Sequence, residues 1–91
     1  MHTLYLIHFA AKYRHAQHYL GISEDLERRL EEHRTGQGSP LMKAVTRADI
    51  PWSVVRTWKD ADRMHERRLK NQKNAWRFCP VCNPNHYQNR N

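Results

Sequence analysis

Acidic residues are scarce in this chain. Nine Asp and Glu stand against 16 Lys and Arg in 91 residues, a formal net charge of +7 with seven histidines counted as neutral. Such a surface prefers a polyanion, and nucleic acid is the commonest polyanion in a cell. Long apolar runs are missing, which argues against a membrane-spanning helix. A basic amphipathic helix with an aromatic or Leu-rich face is missing too, which disfavours a membrane surface as partner. The opening Met1-His2-Thr3 lacks the basic-then-apolar layout of a secretory signal, so a cytoplasmic protein is expected. Cysteine is limited to Cys79 and Cys82, too few for a disulfide framework and more in keeping with thiols or metal ligands. No repeat and no internal boundary is visible. A chain of this size buries only about 60–65% of its unfolded surface, so one modest core must suffice.

Within that frame the elements are legible. Residues 3–9 (Thr-Leu-Tyr-Leu-Ile-His-Phe) read as a strand, with Tyr5, Ile7 and Phe9 on one face and Leu4, Leu6 and His8 on the other. Both faces are largely apolar, which predicts a central strand. Ala10 to Ala16 is polar and basic and reads as a hairpin connection, returning His18-Tyr19-Leu20-Gly21 antiparallel beside the first strand. Ser23 is a good N-cap, and Glu24 and Asp25 put negative charge on the first turn. Leu26, Leu30 and His33 form the buried stripe of that helix, and Gly36 is its stop. Ser39-Pro40 opens a short helix through about Val45, and Pro51 to Trp58 is a third strand. Asp60 begins a last helix with Ala61, His65 and Leu69 inward and Glu66 one turn before Lys70. The expected fold is α+β, in the order β-β-α-α-β-α: a three-stranded sheet with helices against it. Residues 1–74 form its single domain, and residues 75–91 a loop-like tail.

The stretch from Tyr19 to His33 carries the chemistry. A strand ends at Gly21 and runs into a helix bearing Arg29 and His33 one turn apart. A tyrosine, an arginine and a histidine so placed can grip a phosphate and manage a proton. Each has a plainer reading alone: half-buried sheet tyrosines for Tyr5 and Tyr19, a solvated helix arginine for Arg29, a core histidine for His33 and a Lys70 partner for Glu66.

Together these residues resemble the GIY-YIG endonuclease family. Its two tripeptides would be Thr3-Leu4-Tyr5 and Tyr19-Leu20-Gly21. Its helix pattern, Tyr-Ile-Gly-x-Ser-x-Asp-Leu-x-x-Arg-Leu-x-x-His, is reproduced almost residue for residue, with Arg29 and His33 in register. Glu66 in His65-Glu66-Arg67-Arg68 takes the place of the family's metal-binding glutamate. The resemblance covers roughly residues 3–74. Thr3 and Leu4 depart from the first tripeptide, a mild change where only a strand is needed. For the asparagine that many members carry after the glutamate, Asn74 and Asn83 are candidates out of register.

The resemblance implies a small endonuclease hydrolysing phosphodiester bonds in DNA with Mg²⁺ or Mn²⁺. Tyr5 would take the proton from water, with cationic neighbours easing its ionisation, since a free tyrosine titrates near about 10. Arg29 would hold non-bridging oxygens through its planar fork. Glu66 would hold one Mg²⁺, Tyr19 would position water or phosphate, His33 would handle a proton, and Gly21 would let the chain turn into the helix. The alternative is a catalytically inactive nucleic-acid-binding module of the same fold. A homodimer or partner protein would let a single site cut both strands, and RNA is a second candidate substrate.

Basic residues crowd the last helix and its exit: Arg63, Arg67, Lys70 and Lys73 form a track for a phosphate backbone, and Lys12 and Arg14 on the hairpin offer a second contact. Cys79-Pro80-Val81-Cys82 followed by His86 has half of a zinc-site spacing. A tetrahedral site wants four ligands, a second C-x₂-C pair is absent, and His65 or His2 would complete it only if folding brings them near. The incomplete count favours a short turn with free thiols over zinc.

Overall fold

The structure, a computed structural model, describes residues 2–71 and 79–82. Its elements are β1 (His2–Tyr13), β2 (Ala16–Ser23), α1 (Leu26–Arg34), α2 (Pro40–Arg47), β3 (Trp52–Ala61) and α3 (Arg63–Asn71). The strands form one antiparallel sheet in the order β2-β1-β3. The apolar character of both faces of β1 has this central position as its cause. Tyr5, Ile7 and Phe9 face α1 and α2 and build the core with Met42 and Val45, all fully buried. Leu26 and Leu30 from α1, with Trp52 and Val54 from β3, pack around them. Fully burying one such side chain stabilises the fold by about 1.5–3 kcal/mol. On the other face Leu4 and Leu6 are equally buried. There α3 lies against the sheet, with His65 meeting Trp58 edge-on at 6.1 Å. The sheet is thus covered on both sides. No helix among the described residues is long and apolar enough to cross a membrane.

Several boundaries differ from the sequence reading. The first strand runs on to Tyr13, and the hairpin turns at Arg14 and His15 alone, with Arg14 in the left-handed region at φ 58. Ser23 is not the cap of α1, because it still pairs with Thr3 in the sheet. Asp25 caps instead, its carboxylate accepting from the Arg28 N–H at 3.2 Å. Ala61 is a strand residue opposite His2, not part of a helix. Asp60 takes φ 57 ahead of it, and Asp62 then caps α3 by accepting from the His65 N–H at 2.8 Å. Ser39 and Pro40 open α2 as expected, and α2 continues to Arg47.

Candidate active site

β1, β2 and α1 bring four of the expected residues into one cluster. The Tyr5 hydroxyl lies 2.9 Å from His33 Nε2, both residues fully buried. Tyr19 meets the His33 ring edge-on at 5.4 Å, and the Tyr5 and Tyr19 ring centres are 6.1 Å apart. The Arg29 guanidinium lies beside both tyrosine hydroxyls. Burial pushes Tyr5 well above the ordinary tyrosine range, the Tyr19 hydroxyl adds to this, and Arg29 works against it. Tyr5 therefore stays protonated at neutral pH. It also exposes no surface in this arrangement. Tyr19 keeps exposed surface.

His33 is a neutral ring. Burial, with the Arg29 charge behind it, pushes its pKa down to about 4, while Glu32 pulls the other way. Its Nδ1 is buried without a hydrogen-bond partner among the described residues. A buried unpaired lone pair is tolerated better than a buried unpaired N–H, which favours the tautomer that donates from Nε2 to the Tyr5 oxygen. His33 thus fixes Tyr5 as a neutral ring.

Gly21 does not make the turn expected of it. It sits within β2 opposite Tyr5, two residues before the strand ends. A Cβ there would stand 2.5 Å from the Tyr5 ring and hydroxyl and 2.8 Å from Tyr19. The missing side chain makes room for both rings. Gly38 plays the same part for His33, since a Cβ there would run into the imidazole at Nδ1.

Glu32 is a site residue that sequence reasoning missed. Its Oε1 accepts from Arg29 Nη1 at 2.9 Å, and its Oε2 lies 3.6 Å from Arg28 Nε. This carboxylate raises the Arg29 pKa further and is itself held low by Arg29. The signal was available in the three-residue spacing between Arg29 and Glu32 on one helix. Gly38 had no comparable signal.

Arg28, Arg29 and Glu32 line a hollow of about 410 Å³ together with Arg63, the first residue of α3. Glu66 follows Arg63 by one helical turn, is half-buried, and is the only carboxylate of α3. Arg67 is exposed further along α3, and Lys12 and Arg14 are exposed on the hairpin. Lys70 lies on α3, its side chain outside the described residues, as are Lys73, His86 and both candidate asparagines. His2 pairs with Glu24 at 3.3 Å and His65 with Trp58, so neither joins the cysteines. Cys79 and Cys82 meet His8 and His18 instead. A family model described as the GIY-YIG catalytic domain matches residues 1–78. Comparison with curated proteins and with solved structures returns no match.

Proposed function

This chain belongs to the GIY-YIG catalytic-domain family, a nuclease-type family, and we propose that it is a small endonuclease hydrolysing phosphodiester bonds in DNA with a divalent cation. The observation that carries this reading is Arg29 held between Glu32 and the two tyrosine hydroxyls at the edge of an arginine-lined hollow. A guanidinium anchored in this way keeps its plane fixed and has N–H donors left over, suited to the non-bridging oxygens of a phosphate. Arg28 and Arg63 bring two more guanidinium groups to the same hollow, where the carboxylates of Glu24, Asp25 and Glu32 stand as counter-charges. Tyr19 is the tyrosine that orients the attacking water or the phosphate. Tyr5 and His33 are positioning residues behind it, keeping Tyr19 and Arg29 in place.

A single carboxylate is enough for a hard cation that keeps most of its waters. Glu66 offers carboxylate oxygens one turn from the hollow's Arg63, and Mg²⁺ takes one or two carboxylates while keeping most of its waters. Bound there, Mg²⁺ or Mn²⁺ would supply positive charge to the phosphate and acidify a coordinated water.

Cleavage of plasmid and branched DNA with Mg²⁺ tests the reading, comparing the wild type with Arg29→Ala and Glu66→Ala. Cutting by the wild type alone is expected. Equal cutting by all three would remove the site assignment, and salt-sensitive binding without cutting under any divalent metal would establish a binding module instead.

A further inference from the structure

The face of the sheet opposite Tyr5 and Tyr19 holds a second constellation. His8 and His18 stand directly across from each other in the β1–β2 register, on the side that alternation assigns to Leu4 and Leu6. The turn at Cys79–Cys82 comes down beside them, with Cys79 fully buried and both thiols free of disulfide. The four potential ligand atoms (two ring nitrogens and two sulfurs) all lie within 4.8 Å of one another.

The distances are informative. His8 Nδ1 is 3.3 Å from His18 Nε2, 3.5 Å from Cys79 Sγ and 3.6 Å from Cys82 Sγ. Cys82 Sγ is 3.4 Å from His18 Nε2. Hydrogen bonding cannot account for this convergence. A ring nitrogen carries either one proton or one lone pair, so His8 Nδ1 can satisfy one of its three neighbours. At the vertex of a tetrahedron around one cation, three such neighbours are required. With bonds of about 2.3 Å to sulfur and about 2.05 Å to nitrogen, a tetrahedral zinc site has edges of about 3.3 Å between nitrogens and about 3.6 Å from sulfur to nitrogen. These four separations match those edges to within about 0.2 Å.

We propose that His8, His18, Cys79 and Cys82 form a Cys₂His₂ structural zinc site. On binding, Zn²⁺ replaces the two thiol protons, which pass to solvent, and the two thiolates leave the complex neutral with two neutral imidazoles. Four protein ligands fill the tetrahedron and leave no position for substrate, so the site is structural and separate from Arg29 and Glu66. It bonds the chain after α3 to the sheet across more than sixty residues of sequence. It also fastens β1 to β2 where their pairing loses regular register, between His8 and Tyr13. The outer hairpin with Lys12 and Arg14 extends from that fastening.

The test uses the full chain. Purified protein is expected to carry one zinc per chain by elemental analysis after gel filtration. Chelated protein titrated with Co²⁺ is expected to show, at one equivalent, the ligand-field bands of a tetrahedral ion and thiolate-to-cobalt charge transfer. Cys82→Ser and His18→Asn should lose the stoichiometric signal, and Glu66→Ala should keep it. Should those ligand variants fail to fold, the wild-type cobalt spectrum alone reports tetrahedral thiolate ligation. Folded wild-type protein that takes up neither Zn²⁺ nor Co²⁺ would overturn the proposal, as would Glu66→Ala losing the metal while Cys82→Ser retains it.

Discussion

The Tyr5 hydroxyl and His33 Nε2 share a 2.9 Å hydrogen bond that neither side chain exposes to water. A proton on His33 would place a charge in that dry position, beside Arg29. The ring's affinity for a proton is therefore lower in the fold, at about 4, than in the unfolded chain, near 6.5. Between those values the unfolded state binds a proton that the folded state refuses, so stability rises with pH across this window and is lost as pH falls through it. Each tenfold lowering of proton affinity corresponds to about 1.4 kcal/mol at most, so the size of the fall reports how far His33 is held down. Denaturant unfolding at a series of pH values should show this fall in the wild type and a shallower one in His33→Gln, which cannot titrate. His18 is also held low, by burial and then by His8, and its contribution is common to both proteins. Parallel curves would remove His33 as the cause.

Gly21→Ala should damage stability and cleavage together. The added methyl would stand 2.5 Å from Tyr5 and 2.8 Å from Tyr19, so both rings must move. Overpacking of this kind costs about 1–3 kcal/mol, measured as a lowered denaturation midpoint. Gly36→Ala is the control. Gly36 has φ +80 and open space around it, so alanine there strains the backbone by about 1–2 kcal/mol without touching either tyrosine. Its cleavage rate below the melting temperature should match the wild type.

Arg29→Lys preserves charge and removes the fork. Loss of a donor aimed at transition-state charge lowers turnover by roughly 10²–10³-fold, and that range is expected in single-turnover cleavage. Stability should shift by no more than about 1 kcal/mol, since the Arg29–Glu32 pair is partly exposed at 32% and 31%. A lysine variant within a few-fold of wild type would show that only charge matters at this position.

Glu32 separates orientation from attraction. Glu32→Gln weakens the hold on Arg29 while making the hollow more positive. DNA affinity should stay level or increase, while the cleavage rate with DNA in excess falls roughly 10–100-fold through misplacement of the guanidinium. Glu31→Gln, whose partner is the exposed Arg34 at 3.4 Å, should leave both quantities unchanged. Equal effects from the two variants would mean that Glu32 acts only through general charge.

Much of this arrangement was legible in the sequence because local rules and the fold agree there. The two apolar faces of β1 gave its central place, and the Leu26, Leu30 and His33 stripe gave the inward face of α1. The disagreements arise where pairing overrides local preference. Ser23 and Asp25 are both good caps, and only the Thr3–Ser23 pairing decides for Asp25. Gly21 reads as a turn residue because nothing local reveals that Tyr5 and Tyr19 cross over it. The His8–His18 pairing is hidden by a register shift. Counting back from Tyr13 opposite Ala16 without that shift would put Gly21 across from His8. The incomplete zinc spacing at Cys79 and Cys82 therefore finds its other half on strands, at positions that sequence spacing alone does not disclose.

The hairpin beyond that shift should be a DNA contact that contributes attraction and no chemistry. β3 stops pairing with β1 at Phe9 and Trp52, apart from one further bond from the Ala10 N–H to the Pro51 carbonyl at 2.8 Å. Residues 11–16 therefore form a two-stranded arm, with Lys12 exposed along it and Arg14 at its tip, 5.7 Å above the Tyr13 ring. Each cation that neutralises a phosphate steepens the dependence of log affinity on log salt by about 0.9 for B-DNA. The double variant Lys12→Ala/Arg14→Ala should accordingly bind DNA more weakly at low salt, with a salt slope shallower by nearly two. Its single-turnover rate at saturating DNA should equal that of the wild type, because neither residue reaches Arg29 or Tyr19. Titrations at several salt concentrations measure the slope, and an unchanged slope would exclude the arm from the interface. A reduced saturating rate would instead mean that the arm helps to place the scissile phosphate over Arg29.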